Sequence, residues 1–383
     1  MTQPRSTLVS LDDTPWYHVV SRCVRRAFLC GHDAHSGRSF EHRRGWIADR
    51  LKQLASVFAV DIAAYAVMSN HFHIVVRVDE ARVERLERDE VLRRWTQLFS
   101  GPVMVQRYLA DPQRLGAAET KIVDAWVETY RSRLADLSWF MRVLNESIAR
   151  QANAEDGVTG RFWEGRFKSQ ALLDDQAVLT AMAYVDLNPI RAGIAKTPER
   201  SEYTSIAERT APLRASSVAE EPTPSRSSRT EAKESTRRAK TTASEVSTLP
   251  VAPRRTDAQA AESLNPEWAL KGLTSAPLLP FDATGRSEPA IPFGFEDYLE
   301  LVDATGRVVR EDKRGFIDGE TPPLLERLGI DPDQFIRTSS HMLRQFGSVI
   351  GTPARITARR DARQTRYLRG IATARKLFPL RAA

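Results

Sequence analysis

With 383 residues, 42% of them hydrophobic, the chain has room for two domains, or for one domain with tails. A charged fraction of 27%, a mean hydropathy of −0.40, a net charge of +7 and a pI of about 9.5 point to a soluble protein with polyanionic partners, nucleic acid ahead of anionic membrane. Residues 1–16 lack an apolar segment and carry Asp12 and Asp13, so no secretory signal is expected. No apolar run approaches the ~18 residues of a membrane span, so a cytoplasmic protein with no membrane partner is expected. Cys23 and Cys30 are the only cysteines. Their spacing excludes a zinc ribbon and a disulfide framework, and they read as reduced, buried thiols.

In chain order, Trp16-Tyr-His-Val-Val-Ser-Arg22 alternates large apolar and polar residues and predicts a first strand, with Arg22, Arg25 and Arg26 at its end. A helix follows over 39–58, where Trp46, Ile47, Leu51, Leu54 and Ala55 form an apolar stripe. Strands over 60–68 and 71–78 are separated by too few residues for anything but a hairpin. Strand, helix, strand, strand is the first half of a ferredoxin-like arrangement. Residues 80–153 read mainly helical, with 137–148 the best amphipathic piece. The glycine-punctuated stretch Gly157 to Leu173 has strand character in its second part. Asp174 or Asp175 then caps a helix that Pro189 ends near Leu187. Residues 211–263, rich in Ser, Thr, Pro, Glu, Arg and Ala, predict a disordered linker. Beyond it, 332–350 and 354–378 read as helices. The last carries Arg355, Arg359, Arg360, Arg363, Arg366, Arg369, Arg375 and Lys376 against Asp361, a pattern that suits a grip on duplex DNA and equally a solvated face.

Two stretches carry chemistry. In the hairpin Tyr65-Ala-Val-Met-Ser-Asn-His71-Phe72-His73, strand alternation puts His71 and His73 on one face with Cβ atoms ~7 Å apart, an arrangement that suits one metal ion held from a rigid sheet. Phe72 points to the other face as a core anchor. In Tyr184-Val-Asp-Leu-Asn188-Pro189, the tyrosine and asparagine are four apart, one helical turn from each other. An amide oxygen can ligate a divalent cation and a phenol can attack phosphorus. The same pair would also serve as a buried tyrosine beside an asparagine bonded to backbone at a helix end. Basic residues also interleave with aromatics: Arg161, Arg166 and Lys168 flank Phe162, Trp163 and Phe167. That pattern suits phosphate contact plus base stacking, or core anchors among solvated cations. Arg191 follows the tyrosine helix, while His18, His32, His35, His42 and His341 read as ordinary.

On Met68-Ser-Asn-His-Phe-His-Ile-Val75, Gly160-Arg-Phe-Trp-Glu-Gly-Arg-Phe-Lys168, Tyr184-Val-Asp-Leu-Asn-Pro-Ile-Arg-Ala-Gly193 and the opening Tyr17-His-Val-Val-Ser-Arg-Cys-Val-Arg-Arg26, the chain resembles REP-associated tyrosine transposases of the single-tyrosine HUH superfamily. The resemblance covers residues 8–210. It implies an α+β fold, a ferredoxin-like or RRM-like antiparallel sheet with flanking helices, as in HUH endonucleases. A helical insertion occupies about 81–135, and 264–383 form a small, mainly helical C-terminal extension with a basic tail.

The resemblance further implies a metal-dependent nuclease and strand transferase that cleaves and rejoins single-stranded DNA at palindromic repeat hairpins. Tyr184 would be the nucleophile, giving a 5′-phosphotyrosine and a free 3′-OH. His71, His73 and Asn188 would hold Mg²⁺ or Mn²⁺, with zinc a competitor on donor chemistry alone. Arg22, Arg25, Arg26, Arg161, Trp163, Arg166, Lys168 and Arg191 are the candidate DNA contacts. The protein is expected at the nucleoid, as a monomer or homodimer. Two other readings stay open: a domesticated hairpin-binding protein that does not cut, and a zinc hydrolase on the same histidines.

Overall fold

The first strand of the core, β1 (Trp16–Arg22), lies between two partners rather than at an edge. The structure, a computed structural model, describes residues 8–24, 29–33, 37–219, 264, 272–310, 330–339 and 342–379. After β1 come α1 (Arg43–Val57), β2 (Val60–Val67) and β3 (His71–Val78). The β2–β3 hairpin closes with the Met68 N–H donating to the His71 carbonyl at 2.8 Å. The region expected to be a helical insertion contains α2 (Glu80–Glu84), α3 (Arg88–Thr96), α4 (Val103–Ala110) and α5 (Ala117–Leu134). It has its own aromatic core, with Trp95 stacked on Phe99 and Tyr130 at centroid distances of 4.6 and 4.9 Å.

The long helix α6 (Leu137–Asp156) begins where the Asp136 carboxylate accepts the N–H groups of Ser138 and Trp139. It stops at Gly157, whose φ of +64° an L side chain adopts only with strain. β4 (Lys168–Leu172) follows, then α7 (Asp175–Asp186), the short α8 (Asn188–Arg191) and α9 (Ser205–Ala219). Helix α9 runs into residues expected to begin the linker. The remainder of that linker, 220–263, lies outside the described residues. The C-terminal region supplies α10 (Phe295–Arg310), α11 (Pro332–Ser339), α12 (Met342–Gln345), β5 (Val349–Ile350), α13 (Pro353–Ala362) and α14 (Ile371–Leu377).

The sheet order is β2-β3-β1-β4-β5. The first four strands are antiparallel in ferredoxin-like order, and β5 joins β4 in parallel. The protein is thus α+β, with a five-stranded mixed sheet where a purely antiparallel one was expected. Residues 349–350, read as helical, are instead the edge strand: Gly347 turns the chain with φ +68° and delivers them to the open edge of β4.

Helices α1 and α6 cover one sheet face, with Phe58 against Phe140 and Phe72 fully buried against Trp163. Buried Arg43 ties the two helices by pairing with Glu155 at 2.6 Å and Asp156 at 2.5 Å. Helix α7 crosses the opposite face against β2, β3 and β4. Cys23 and Cys30 are buried and unbridged, and burial pushes the Cys30 thiol up to about 12. Among the described residues no helix is long and apolar enough to cross a membrane.

Candidate active site

Strand register decides which side chains meet on the face that α7 crosses. Val20 of β1 lies between His73 of β3 and Lys168 of β4, so these side chains form one row. The next row places His18 between Val75 and Gln170, and Arg22 lies opposite His71 at the strand end. His71 and His73 share this face, as alternation predicts, with ring centroids 4.9 Å apart. Arg22 and Lys168, both exposed, therefore stand on the same face as the two histidines.

Helix α7 brings Tyr184 onto the rows. Asp174 caps its start by accepting the Ala177 N–H at 2.9 Å, and every residue from Ala177 to Asp186 is buried. The Tyr184 ring meets His73 edge-on at 5.4 Å and His18 at 5.6 Å, and is itself 8% exposed. Asn188, one turn on, donates an amide N–H to the Tyr184 carbonyl at 2.9 Å, which leaves Oδ1 as its ligand-competent atom. The Arg191 guanidinium stands 5.4 Å from the Tyr184 ring centroid. Tyr184 thus meets the histidine pair through His73, and Asn188 makes the backbone bond of the simpler reading.

His71 and His73 each have one ring nitrogen engaged. His71 Nδ1 lies 2.6 Å from Asn70 Oδ1, an oxygen that can only accept, so Nδ1 carries the hydrogen and Nε2 presents a lone pair. His73 Nδ1 lies 3.0 Å from His18 Nε2, and His18 Nδ1 lies 3.0 Å from Gln170 Oε1. His73 Nε2 is buried without a hydrogen-bond partner. A buried polar atom left in this way is costly in an ordinary core and expected of a metal ligand. Two imidazole nitrogens and an amide oxygen fit a divalent cation. Among the described residues no three His, Cys, Asp or Glu side chains form such a set.

Electrostatics favour neutral imidazoles. Burial pulls His18 and His71 down to about 4 and His73 well below its ordinary value, with neighbouring His18, His71 and Arg22 adding to the effect on His73. Burial raises the Tyr184 phenol, while the Arg191 charge and a hydrogen bond from Asn188 pull it back. Burial draws the Arg191 guanidinium down to about 10.

The other expected contacts are scattered more widely. The Arg161 Nε–H donates to the Trp163 carbonyl at 2.9 Å, and its Nη2 to the Glu164 carbonyl, bracing the loop before β4. Trp163 is half-buried, with Nε1 donating to the Asn145 carbonyl at 2.7 Å. Arg166 and Lys168 line a groove of about 590 Å³ with Phe167, Gln170, Arg344 and Gly347. Arg25, Arg26, His35 and His341 lie outside the described residues. In the C-terminal basic run, Arg359 and Arg363 both pair with Asp13 and so clamp the N-terminal segment. His42 pairs with Glu155 at 2.7 Å. His18 and Gln170 were missed as site residues, although alternation within each strand already gave their faces; only the β1–β4 register brings them together.

No protein-family model matches the chain, and no curated protein matches it. Among solved structures, the chain is similar to a REP-associated tyrosine transposase bound to a REP hairpin, at 13% identity over 55% of this chain and 86% of that chain, with a TM-score of 0.32. A likeness so distant bears on neither family membership nor chemistry.

Proposed function

We propose that this protein cleaves and rejoins single-stranded DNA at hairpins, using Tyr184 as nucleophile and a divalent metal, Mn²⁺ or Mg²⁺, held by His71, His73 and Asn188. The supporting observation is the packing of the Tyr184 ring against His73, whose Nε2 is buried and unpartnered. A tyrosine placed there solely for packing gives no reason for a bare imidazole nitrogen beside it.

Tyr184 Oη attacks phosphorus, the bond from phosphorus to the 3′-oxygen breaks, the phenol loses its proton and the 3′-oxygen gains one. The product is a 5′-phosphotyrosine with a free 3′-OH. Reversal by another 3′-OH rejoins the strand without ATP. The metal, when bound, supplies Lewis-acid polarisation of the scissile phosphate. Arg191 stabilises the phenolate as the proton leaves, because its charge lowers the Tyr184 pKa. Arg22 and Lys168 face the same side and supply phosphate contacts. Helix α7, buried from Ala177 to Asp186 and capped by Asp174, holds Oη in place.

The reading is tested by incubating the protein with a hairpin-bearing single strand and Mn²⁺ and resolving protein from protein–DNA adduct on a denaturing gel. A covalent adduct is expected, and Tyr184→Phe should abolish it. An adduct that persists in Tyr184→Phe would remove Tyr184 from its role. Hairpin binding without any adduct would instead favour a non-cleaving DNA-binding protein.

A further inference from the structure

Gln170 ends its side chain between a backbone carbonyl and an imidazole nitrogen. On one side its Nε2 lies 2.5 Å from the Gly347 carbonyl, contributed by the C-terminal region 177 residues downstream. A carbonyl oxygen only accepts, so the amide must present its NH₂ there. The reverse orientation would press two oxygens together. Gly347 is fixed in turn: its φ is +68°, and a Cβ there would meet the Arg369 side chain at 3.1 Å.

With the amide so oriented, Oε1 faces His18 Nδ1 at 3.0 Å, and this nitrogen carries the hydrogen. His18 is 0% exposed and packs against Gln170, His73 and Tyr184, with no carboxylate in contact among the described residues, so the ring is neutral and its Nε2 is a lone pair. His73 Nδ1, 3.0 Å away, must then donate, and the lone pair of His73 is left on Nε2, the buried atom without a partner. Each link follows from the one before, starting at a backbone carbonyl.

We propose that Gln170 and His18 are positioning residues that fix His73 as the Nδ1–H tautomer, and that the C-terminal region controls this choice through the Gly347 carbonyl. A metal-ligating imidazole commonly gives its second N–H to a carboxylate or a backbone carbonyl. Here that role falls to a second imidazole, which passes the requirement on to a carbonyl from outside the ferredoxin-like core. The same region also grips the start of α7: the Thr352 N–H donates to Asp174 Oδ2 at 2.7 Å. The C-terminal region is therefore part of the candidate site.

The test uses the full-length protein, ¹⁵N-labelled, without metal or DNA, and reads imidazole tautomers from long-range proton–nitrogen correlations at neutral pH. Both His18 and His73 should be Nδ1–H, against the Nε2–H form that an isolated neutral imidazole favours. Either ring in the Nε2–H form would overturn the proposal. Gln170→Leu should release both rings to mixed tautomers and weaken Mn²⁺ binding, measured by calorimetry with Mn²⁺ alone, by about 10- to 100-fold. Unchanged tautomers in that variant would also overturn it. The affinity arm rests on the proposed metal site, whereas the tautomers are read without metal. A wild-type protein with both Nδ1–H forms and no Mn²⁺ binding would overturn the proposed function and support the relay.

Discussion

The Tyr298 hydroxyl donates a 2.5 Å hydrogen bond to Asp186 Oδ2, joining α10 to the helix that carries Tyr184 across 112 residues of chain. Asp186 Oδ1 accepts from Ser205 Oγ at 2.5 Å and from the Ile206 N–H at 3.1 Å. Asp186 thus holds α7, α9 and α10 together from a fully buried position. Asp186→Leu strands three donors, and we expect a loss of about 3–5 kcal/mol in urea denaturation. Asp186→Asn keeps an acceptor for Ser205 and Ile206 and places an N–H toward a hydroxyl that can turn to accept it. Its loss should be about 1 kcal/mol. Equal stabilities for the two variants would show that these bonds do not hold the helices.

The same carboxylate shapes the dependence of stability on pH. Burial pushes Asp186 up to about 6 from its ordinary 3.8, so the folded protein binds more protons than the unfolded chain between those values. The contribution of Asp186 is present below the lower value and is lost as pH rises through about 6, by about 3 kcal/mol. His18 acts in the opposite sense. Its pKa falls to about 4 from 6.5, so stability is lost as pH falls through that window, again by about 3 kcal/mol. The two offset each other in the wild type. Asp186→Asn should therefore lose about 3 kcal/mol more than the wild type between neutral pH and pH ~4, with denaturation midpoints as the readout. Parallel curves would contradict this account.

Asp13 accepts from Arg359 at 3.1 Å and also from Arg363, while Arg359 is buried. Removing the carboxylate leaves a buried guanidinium without its counter-charge, whereas removing the arginine leaves only a carboxylate that Arg363 still pairs. Asp13→Ala should cost about 3 kcal/mol and Arg359→Met clearly less, by chemical denaturation. The reverse order would mean that the aliphatic stem of Arg359, rather than its charge, matters there.

Much of this was legible in the sequence. The bounds of β3 follow from alternation, and the meeting of Tyr184 with Asn188 follows from a spacing of four. The ferredoxin-like order follows from strand, helix and hairpin in succession. The parts that escaped are tertiary. Alternation gives the face of His18 within β1 but not its neighbour on β4, so the relay to Gln170 was invisible. Val349 and Ile350 are too few to show alternation, and their strand character comes from pairing with β4. Asp186 sits inside the Tyr184 motif with no mark of its burial, because its partners at 205, 206 and 298 are set by packing.

Lys168 allows the proposed DNA contact to be compared with a structural cation. It is exposed, it lies in the same row as His73, and it lines the groove with Arg166 and Arg344. A phosphate contact made by one lysine releases about one counterion, so Lys168→Ala should reduce the slope of log affinity against log salt by about 1. The weakening should be similar for hairpins of different sequence, because a phosphate contact carries no base information. Arg359→Met, which alters a cation already committed to Asp13, should leave the slope unchanged. Fluorescence anisotropy with a labelled hairpin across a salt series makes the comparison. If Lys168→Ala leaves the slope at its wild-type value, the row of β4, β1 and β3 side chains is not where the DNA backbone runs.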